Sequence, residues 1–312
     1  MNLFNFIAQF PDEQSCRTHF GDLRKQKGVV CKRCQCREHY WLTAKSMFQC
    51  KKCRFRTTLR SGTVMENSKL PFRYWYMAMH LLTSTNKSFS ALELQRQIGH
   101  KRYEPIWAML HKIRMIMGQE DARQELEGWV ELDKGFFAVR PRPKKKTIPK
   151  RSRGGPGQAT ILVMAESAPV RNPRKHAQSR CCGRFRMQVI PDLRAGTIAD
   201  RAGKAISPRA SILTTNFGAY NQLKDRFARH LPVRAQGKKA VKLLPWVHIS
   251  VTNVKRNLSG IFHGVSEKYL QNYLDEFCYK LNRRYEGETR FATILGNSLR
   301  HWNKYHVWQR SG

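Results

Sequence analysis

"ILTTNFGAYNQL", residues 212–223, begins as an alternating apolar strand and then breaks into a polar turn with aromatic residues on either side of it. If "ASILTT" (210–215) is a β-strand, residue 216 stands at its carboxyl end, where an open α/β sheet presents side chains to a ligand. A site that holds hard divalent cations wants a carboxylate there. The residue is Asn216, so the question is whether the strand end is a working site or one that has lost a ligand.

Upstream, "GWVELDKGFFAV" (128–139) reads as a strand, "ATILVMAES" (159–167) as a buried strand, and "GRFRMQVIPD" (183–192) as a third with alternating side chains. A helix over roughly 196–206 precedes the fourth strand. Strand, strand, strand, helix, strand is the order of an RNase H-like α/β domain with a mixed sheet, and we expect it over 126–312. Between the first two strands, within 138–157, eight of the fourteen residues from Arg140 to Arg153 are basic. Lys144, Lys145, Lys146, Lys150, Arg151 and Arg153 make this either a solvated loop or a clamp that closes on phosphates. Downstream, "SEKYLQNYLDEFCYKLNRRY" places Leu270, Tyr273, Leu274, Phe277 and Leu281 on one helical face, with Asp275 and Glu276 expected as solvated acids.

The front of the chain follows different rules. "CKRCQCREHYWLTAKSMFQCKKC" gives Cys31-x2-Cys34, fifteen residues, then Cys50-x2-Cys53. Two such knuckles complete a closed tetrahedral S4 site for a structural zinc. Cys36 is a third thiol of the first knuckle and is read as a spare, since Cys34 keeps the two-residue gap. A small zinc ribbon is therefore expected over 1–60, with Tyr40, Trp41, Phe48 and Phe55 packed beside the metal. Over 61–125 the pattern is helical. Ser90 can cap a helix that ends at Gly99, and a second helix from about Pro105 carries Ile106, Leu110, Ile113 and Met117 on one face. This pair is either a helix-turn-helix, with His111, Lys112 and Arg114 facing DNA, or an ordinary helical hairpin.

Charge selects the partner class. Lys and Arg number 58 against 22 Asp and Glu in 312 residues, a formal net charge of +36, so a stable partner must be strongly anionic. Nucleic acid fits that requirement. A membrane surface fits less well, because no run of about 18 apolar residues and no single basic amphipathic helix is present. The start, "MNLFNFIAQFPDEQ", shows no secretory signal, which points to a cytoplasmic protein whose nine cysteines favour metal over disulfides.

The ordered set "FPDEQSCRTHF", "CKRC…CKKC", "SGTVMENSKLP", "SALELQRQIG", "IWAMLHKIR", "VHISVTNVKRNLSGIFHGVSEKYLQNYLDEF" and "LNRR" resembles bacterial insertion-sequence transposases with a zinc-ribbon front and a DDE-type domain. It is similar to the ISXO2-like group, whose site follows an Asp, Asp, Asn, Lys pattern. The resemblance implies a DNA transposase that binds terminal inverted repeats of double-stranded DNA as a homo-oligomer, near the bacterial nucleoid, and cuts and joins strands with Mg²⁺. By position it puts the first Asp at Asp133, the second at Asn216, and the last two members at Asn253 and Lys255.

Two residues depart from the pattern. Asn216 replaces the second Asp, and Lys134 stands where the group favours an acid. Both make the site less negative, leaving Asp133 as the surviving magnesium carboxylate, with Asp192 at the end of the third strand as the nearest substitute. The competing expectation is accordingly a catalytically disabled descendant that binds the same ends as a repressor or remnant. A basic RNA-binding protein would explain charge and zinc but not the ordered motifs.

Overall fold

The computed structural model describes residues 1–140, 157–169, 180–234, 243–262, 264–287 and 289–299. The chain divides into two compact units, Met1–Ile116 with Tyr285–Gly312, and Met117–Arg284. The ribbon and the helices after it, expected as separate regions meeting at residue 60, share the first unit.

In that unit, short polar side chains set the helix starts. Asn2 accepts from Asn5 N–H at 2.8 Å to open α1 (Leu3–Gln9), and Asp12 with Ser15 forms a reciprocal capping box at α2 (Glu13–Lys27). The Glu13 carboxylate then accepts from the N–H groups of Phe72 and Arg73, an anion at the positive end of α3 (Phe72–Ser84). The ribbon sheet is antiparallel, from β1 (His39–Leu42) through β2 (Met47–Cys50) to β3 (Arg56–Thr58). Ser90 caps α4 (Ala91–Ile98) by accepting from Glu93 N–H at 3.0 Å, and Gly99 ends it with φ of 67°. Helix α5 (Tyr103–Asp121) follows after a short turn, and Ile106, Leu110, Ile113 and Met117 are buried as its apolar face requires. The last described helix, α9 (Thr289–Ser298), belongs to this unit, although the sequence suggested that it would complete the RNase H-like domain. Its Phe291 ring packs within 5.7 Å of Phe6 and 6.0 Å of Tyr76, and Ser298 C=O accepts from Val64 N–H.

The second unit is the expected mixed sheet. Strands β4 (Trp129–Ala138), β5 (Gln158–Pro169) and β6 (Arg180–Ile190) are antiparallel neighbours. Strands β7 (Ser211–Thr215) and β8 (Arg229–Val233) add in parallel on the other side of β4, in the order β6-β5-β4-β7-β8. Strand β8 was not anticipated. Its sequence contains Pro232, which suits an edge strand and hides the pattern.

Side-chain alternation splits the core in two. On one face Val130, Leu132, Leu162 and Met164 pack with Ile198, Ala199 and Ala202 of α6 (Ala195–Gly203). On the other, Ile161, Val163 and Ala165 pack under α7 (Pro245–Phe262) and α8 (Glu267–Asn282) through Val247, Val254, Leu270 and Leu274. Two expectations for α8 need correction, because its acids are not solvated. Glu276 is fully buried against Lys280, and Asp275 lies where a Cβ on Gly118 would meet its carboxylate at 2.4 Å. Burial pushes the Asp275 carboxyl up to about 7. No helix among the described residues is long and apolar enough to cross a membrane.

Candidate functional site

Two clusters carry the chemistry. In the first, the sulfurs of Cys31, Cys34, Cys50 and Cys53 lie within 4.8 Å of one another, with Cys31–Cys53 and Cys34–Cys50 both at 3.5 Å. A tetrahedral zinc with Zn–S near 2.3 Å needs sulfurs about 3.8 Å apart, so the donor set fits.

The two knuckles are local copies of one turn. Gln35 and Arg54 both have φ near 60°, and each donates its N–H to the first cysteine's carbonyl, at 2.9 and 3.0 Å. Cys36 in the first corresponds to Phe55 in the second, since each carbonyl returns to the first cysteine's N–H. The Cys36 sulfur instead accepts from Glu38 N–H at 3.4 Å, as a spare thiol should. Backbone N–H from Cys53 lowers the pKa of the Cys50 thiol, which favours the thiolate that binds metal. Of the four aromatics expected beside the metal, Trp41 and Phe48 pack on each other, with ring centroids 4.8 Å apart and planes tilted by 59°. Tyr40 and Phe55 are exposed, with Lys51 and Arg54 placed over the Tyr40 ring.

The second cluster centres on Asp133, 8% exposed in the middle of β4. Its Oδ1 accepts from the Thr215 hydroxyl at 3.0 Å and the Tyr220 hydroxyl at 2.9 Å, so the end of β7 and the turn after it converge on this carboxylate. Asn216 is exposed between Thr215 and Phe217. The Lys134 ammonium lies 4.0 Å from Asp133 Oδ1, 3.9 Å from the Phe217 ring centroid and 5.7 Å from that of Tyr220.

Helix α7 crosses β4 at Gly135, where an added Cβ would meet Val251 at 3.4 Å. Beyond that crossing, Asn253 and Lys255 are exposed on either side of buried Val254, and the Lys255 ammonium stands 5.6 Å over the Phe137 ring. Sequence reasoning missed Glu131, which is 1% exposed and two residues before Asp133 on the same face of β4. Its carboxylate accepts from the N–H groups of Trp246 and Val247 at 2.8 and 3.2 Å, fastening the start of α7 to the strand. Burial pushes this carboxyl up to about 7 in spite of those donors. The available signal was an acid at an inward position of a buried strand.

These residues do not fit the divalent pair that the resemblance implies. Asp133 already accepts two hydroxyls and faces an ammonium, the β7 residue beside it is Thr215 with Asn216 exposed one place further on, and Glu131 is committed to α7. Among the described residues, the four cysteines are the one place where three or more Cys, His, Asp or Glu ligands converge. Asp192 does not fill the gap. Ile190 pairs with Thr160, which pairs with Phe136, so Asp192 lies at the far edge of the sheet, two strands from β4. There it accepts from Arg194 N–H at 3.0 Å, and hydrogen bonding to Thr197 and Arg194 lowers its pKa.

The expected DNA-facing residues also divide. His111 and Arg114 are 0% and 1% exposed, a correction that follows from their place on the inner side of α5, where Arg114 donates to Phe89 C=O. Lys112 is half-buried and donates to Glu66 C=O at 2.8 Å. The exposed groups are instead Lys101, Arg102 and Tyr103, at the turn and the first residue of α5. Lys144, Lys145, Lys146, Lys150, Arg151 and Arg153 lie outside the described residues.

An uncharacterized protein in transposable element ISH50 of Halobacterium salinarum is 24% identical over 315 residues, covering 94% of this chain and 99% of that protein. Among solved structures, a pre-cleavage Mos1 transpososome matches at 12% identity and TM-score 0.27, and the Mos1 strand transfer complex at 15% and 0.24. Each covers 76% of this chain and 82% of the other. The transposase zinc-ribbon domain matches residues 11–56, spanning all four cysteines. The ISXO2-like transposase domain matches residues 125–282, more than half of the chain and the whole β4-to-α8 core, and the protein therefore belongs to this insertion-sequence transposase family.

Proposed function

We propose that this transposase-family protein binds the inverted-repeat ends of its element as double-stranded DNA, and that strand cleavage is blocked at the Asp133 site as the chain stands. The observation that carries the reading is the Asp133 carboxylate itself, already bonded to two hydroxyls with an ammonium 4.0 Å away, while the family pattern gives its second acid position to the amide of Asn216. Paired Mg²⁺ ions need hard anionic oxygens to hold them, and this family's chemistry needs the ions.

Binding rests on separate groups. The ribbon exposes Lys32, Arg33, Arg37, Lys51, Lys52, Arg54 and Arg56 around the outward Tyr40, an arrangement suited to phosphate and sugar contacts. At the front of α5, Lys101 and Arg102 stand where the recognition helix of a helix-turn-helix meets base edges, in place of His111 and Arg114. The basic run from Lys144 to Arg153 would add a clamp. Lys255 would hold a phosphate, and Asn253 the nearby strand. A homo-oligomer bound this way, in the cytoplasm at the nucleoid, occupies the ends without cutting them and acts as a repressor.

The test uses the full chain with its zinc. Fluorescence anisotropy on the element's own end should give specific binding over a scrambled duplex, and a nicking assay with Mg²⁺ or Mn²⁺ on the same DNA should give no product. Metal-dependent nicking by the unaltered chain would restore the active-transposase reading. Equal affinity for both duplexes would remove the end-binding one.

A further inference from the structure

We infer that Lys134 is an internal cation: its ammonium takes the place of a divalent ion at Asp133, so that Lys134 and Asn216 exclude the metal together. The inference rests on the assignment of Asn216 to the second acid position, and goes beyond it by naming what fills the site.

The alternation of β4 sends Lys134 toward the opposite face from Asp133. Its side chain nonetheless brings the ammonium to 4.0 Å from Asp133 Oδ1, at 23% side-chain exposure. Two aromatic faces hold it there, Phe217 at 3.9 Å and Tyr220 at 5.7 Å, and the Tyr220 hydroxyl donates to the same carboxylate oxygen. A cation over such faces is attracted by the ring quadrupoles, more strongly as water is removed. The site is therefore a built cage of one anion and two rings around one positive charge. The ammonium neutralises Asp133 without needing a second acid.

Asn216 is the neighbour of Phe217, the ring nearest the ammonium. If a missing ligand were the whole defect, Asn216→Asp alone would restore metal binding. With an internal cation in place, a new carboxylate at 216 leaves the ammonium at Asp133. Only removal of both departures opens the position.

The test is a Mn²⁺ titration of the zinc-loaded full chain, read by the free-ion electron paramagnetic resonance signal, with Asp133→Asn as the baseline. Zinc content and circular dichroism verify that each variant is folded. Lys134→Met keeps the aliphatic stem against the rings, and Lys134→Gln repeats the measurement with a polar end. The native chain and Asn216→Asp should stay within about threefold of the baseline. Asn216→Asp with Lys134→Met should gain a site at least about tenfold tighter, about 1.4 kcal/mol, which Asp133→Asn abolishes. If Asn216→Asp alone binds as tightly as the double variant, Lys134 is not the occupant, and the assignment of residue 216 survives. If the folded double variant gains no site, the assignment of residue 216 itself fails. An Asp133-dependent site in the native chain overturns the inference directly.

Discussion

The four-cysteine cluster and the Asp133 site are both cation positions, and they differ in how their parts are spread along the chain. All four sulfurs come from residues 31–53, two repeats of one turn, each fixing its cysteines by backbone hydrogen bonds that survive most changes in the intervening residues. The second site draws on β4 and on the end of β7 with the turn after it, so that Asp133 and Thr215 meet across 82 residues of sequence. A local site is preserved by the geometry of its own turn. A dispersed one depends on each contributor, and here one amide and one lysine suffice to turn an anion-lined position into a neutral cage.

The largest expected effect tests the local half of this contrast. Cys50→Ser should remove the zinc, because the closed S4 set has no spare donor and metal binding in such ribbons is folding free energy. Metal analysis should fall from one zinc per chain to near none, with hydrogen exchange across residues 11–56 losing protection and end-specific binding lost. Cys36→Ser should change none of these, since that sulfur bonds only within its own turn. Retention of zinc by Cys50→Ser would mean that Cys36 can be recruited after all.

Next in size is a pH effect in the second unit. Burial raises the Glu131 carboxyl to about 7, against about 4.3 in an unfolded chain, so the folded form binds more protons between those values. Its contribution is full below about 4.3 and is lost as pH rises through 7, on the order of 2 kcal/mol. Asp275, also raised to about 7 by burial, gives a parallel loss. Thermal unfolding of the second unit should therefore shift downward between pH 5.5 and 7.5. Glu131→Gln, which can still accept from Trp246 and Val247, should flatten part of that slope, and Asp275→Asn another part. An unchanged slope in both variants would show that neither acid titrates in this range.

Much of this was legible in the sequence, and the gaps have physical causes. The strands, the cysteine knuckles, the Ser90 cap and the Gly99 stop are local signals, set by alternation, spacing and backbone conformation. The family pattern points to Asp133 and residue 216 as site positions, and in the structure the β7 hydroxyl against Asp133 is that of Thr215. The apolar face of α5 was legible too, but not how far burial extends around the helix beyond it. His111 and Arg114 are polar residues on a face whose burial is decided by α5's neighbours, and the same holds for Asp275 and Glu276 on α8. The reach of Lys134 to Asp133 was hidden for a related reason. Strand alternation assigns those two side chains to opposite faces, and the rings of Phe217 and Tyr220, far along the chain, lie against the ammonium that reaches back.

A smaller effect probes the packing behind the second site. Gly118→Ala would place a Cβ 2.4 Å from the Asp275 carboxylate, which is held by Gln271 at 2.8 Å. The carboxylate must shift and lose that donor, at a cost of about 1–3 kcal/mol. Denaturant unfolding should show it, and adding Asp275→Ala should return most of the loss by making room. No recovery in the double variant would mean that the strain lies in α5 itself.

The smallest effect asks whether the two halves of the molecule serve separate tasks. If unit 1 carries the binding, Lys101→Ala and Arg102→Ala should each reduce the slope of log affinity against log salt by up to about 0.9, the counterion release of one phosphate contact. Loss of specificity for the element's end should accompany the loss in slope, because these residues stand where base edges are read. Neutralising Lys144, Lys145 and Lys146 should flatten the slope without changing specificity, since phosphate contacts carry no sequence information. His111→Ala should alter stability and leave the slope intact, its side chain being buried. Asn216→Asp should leave both slope and specificity as they are, one charge being small against a net charge of +36. A change in salt slope on Asn216→Asp would mean that the Asp133 site touches phosphate even without cutting it. The assignment of DNA contact to unit 1 alone would then fail.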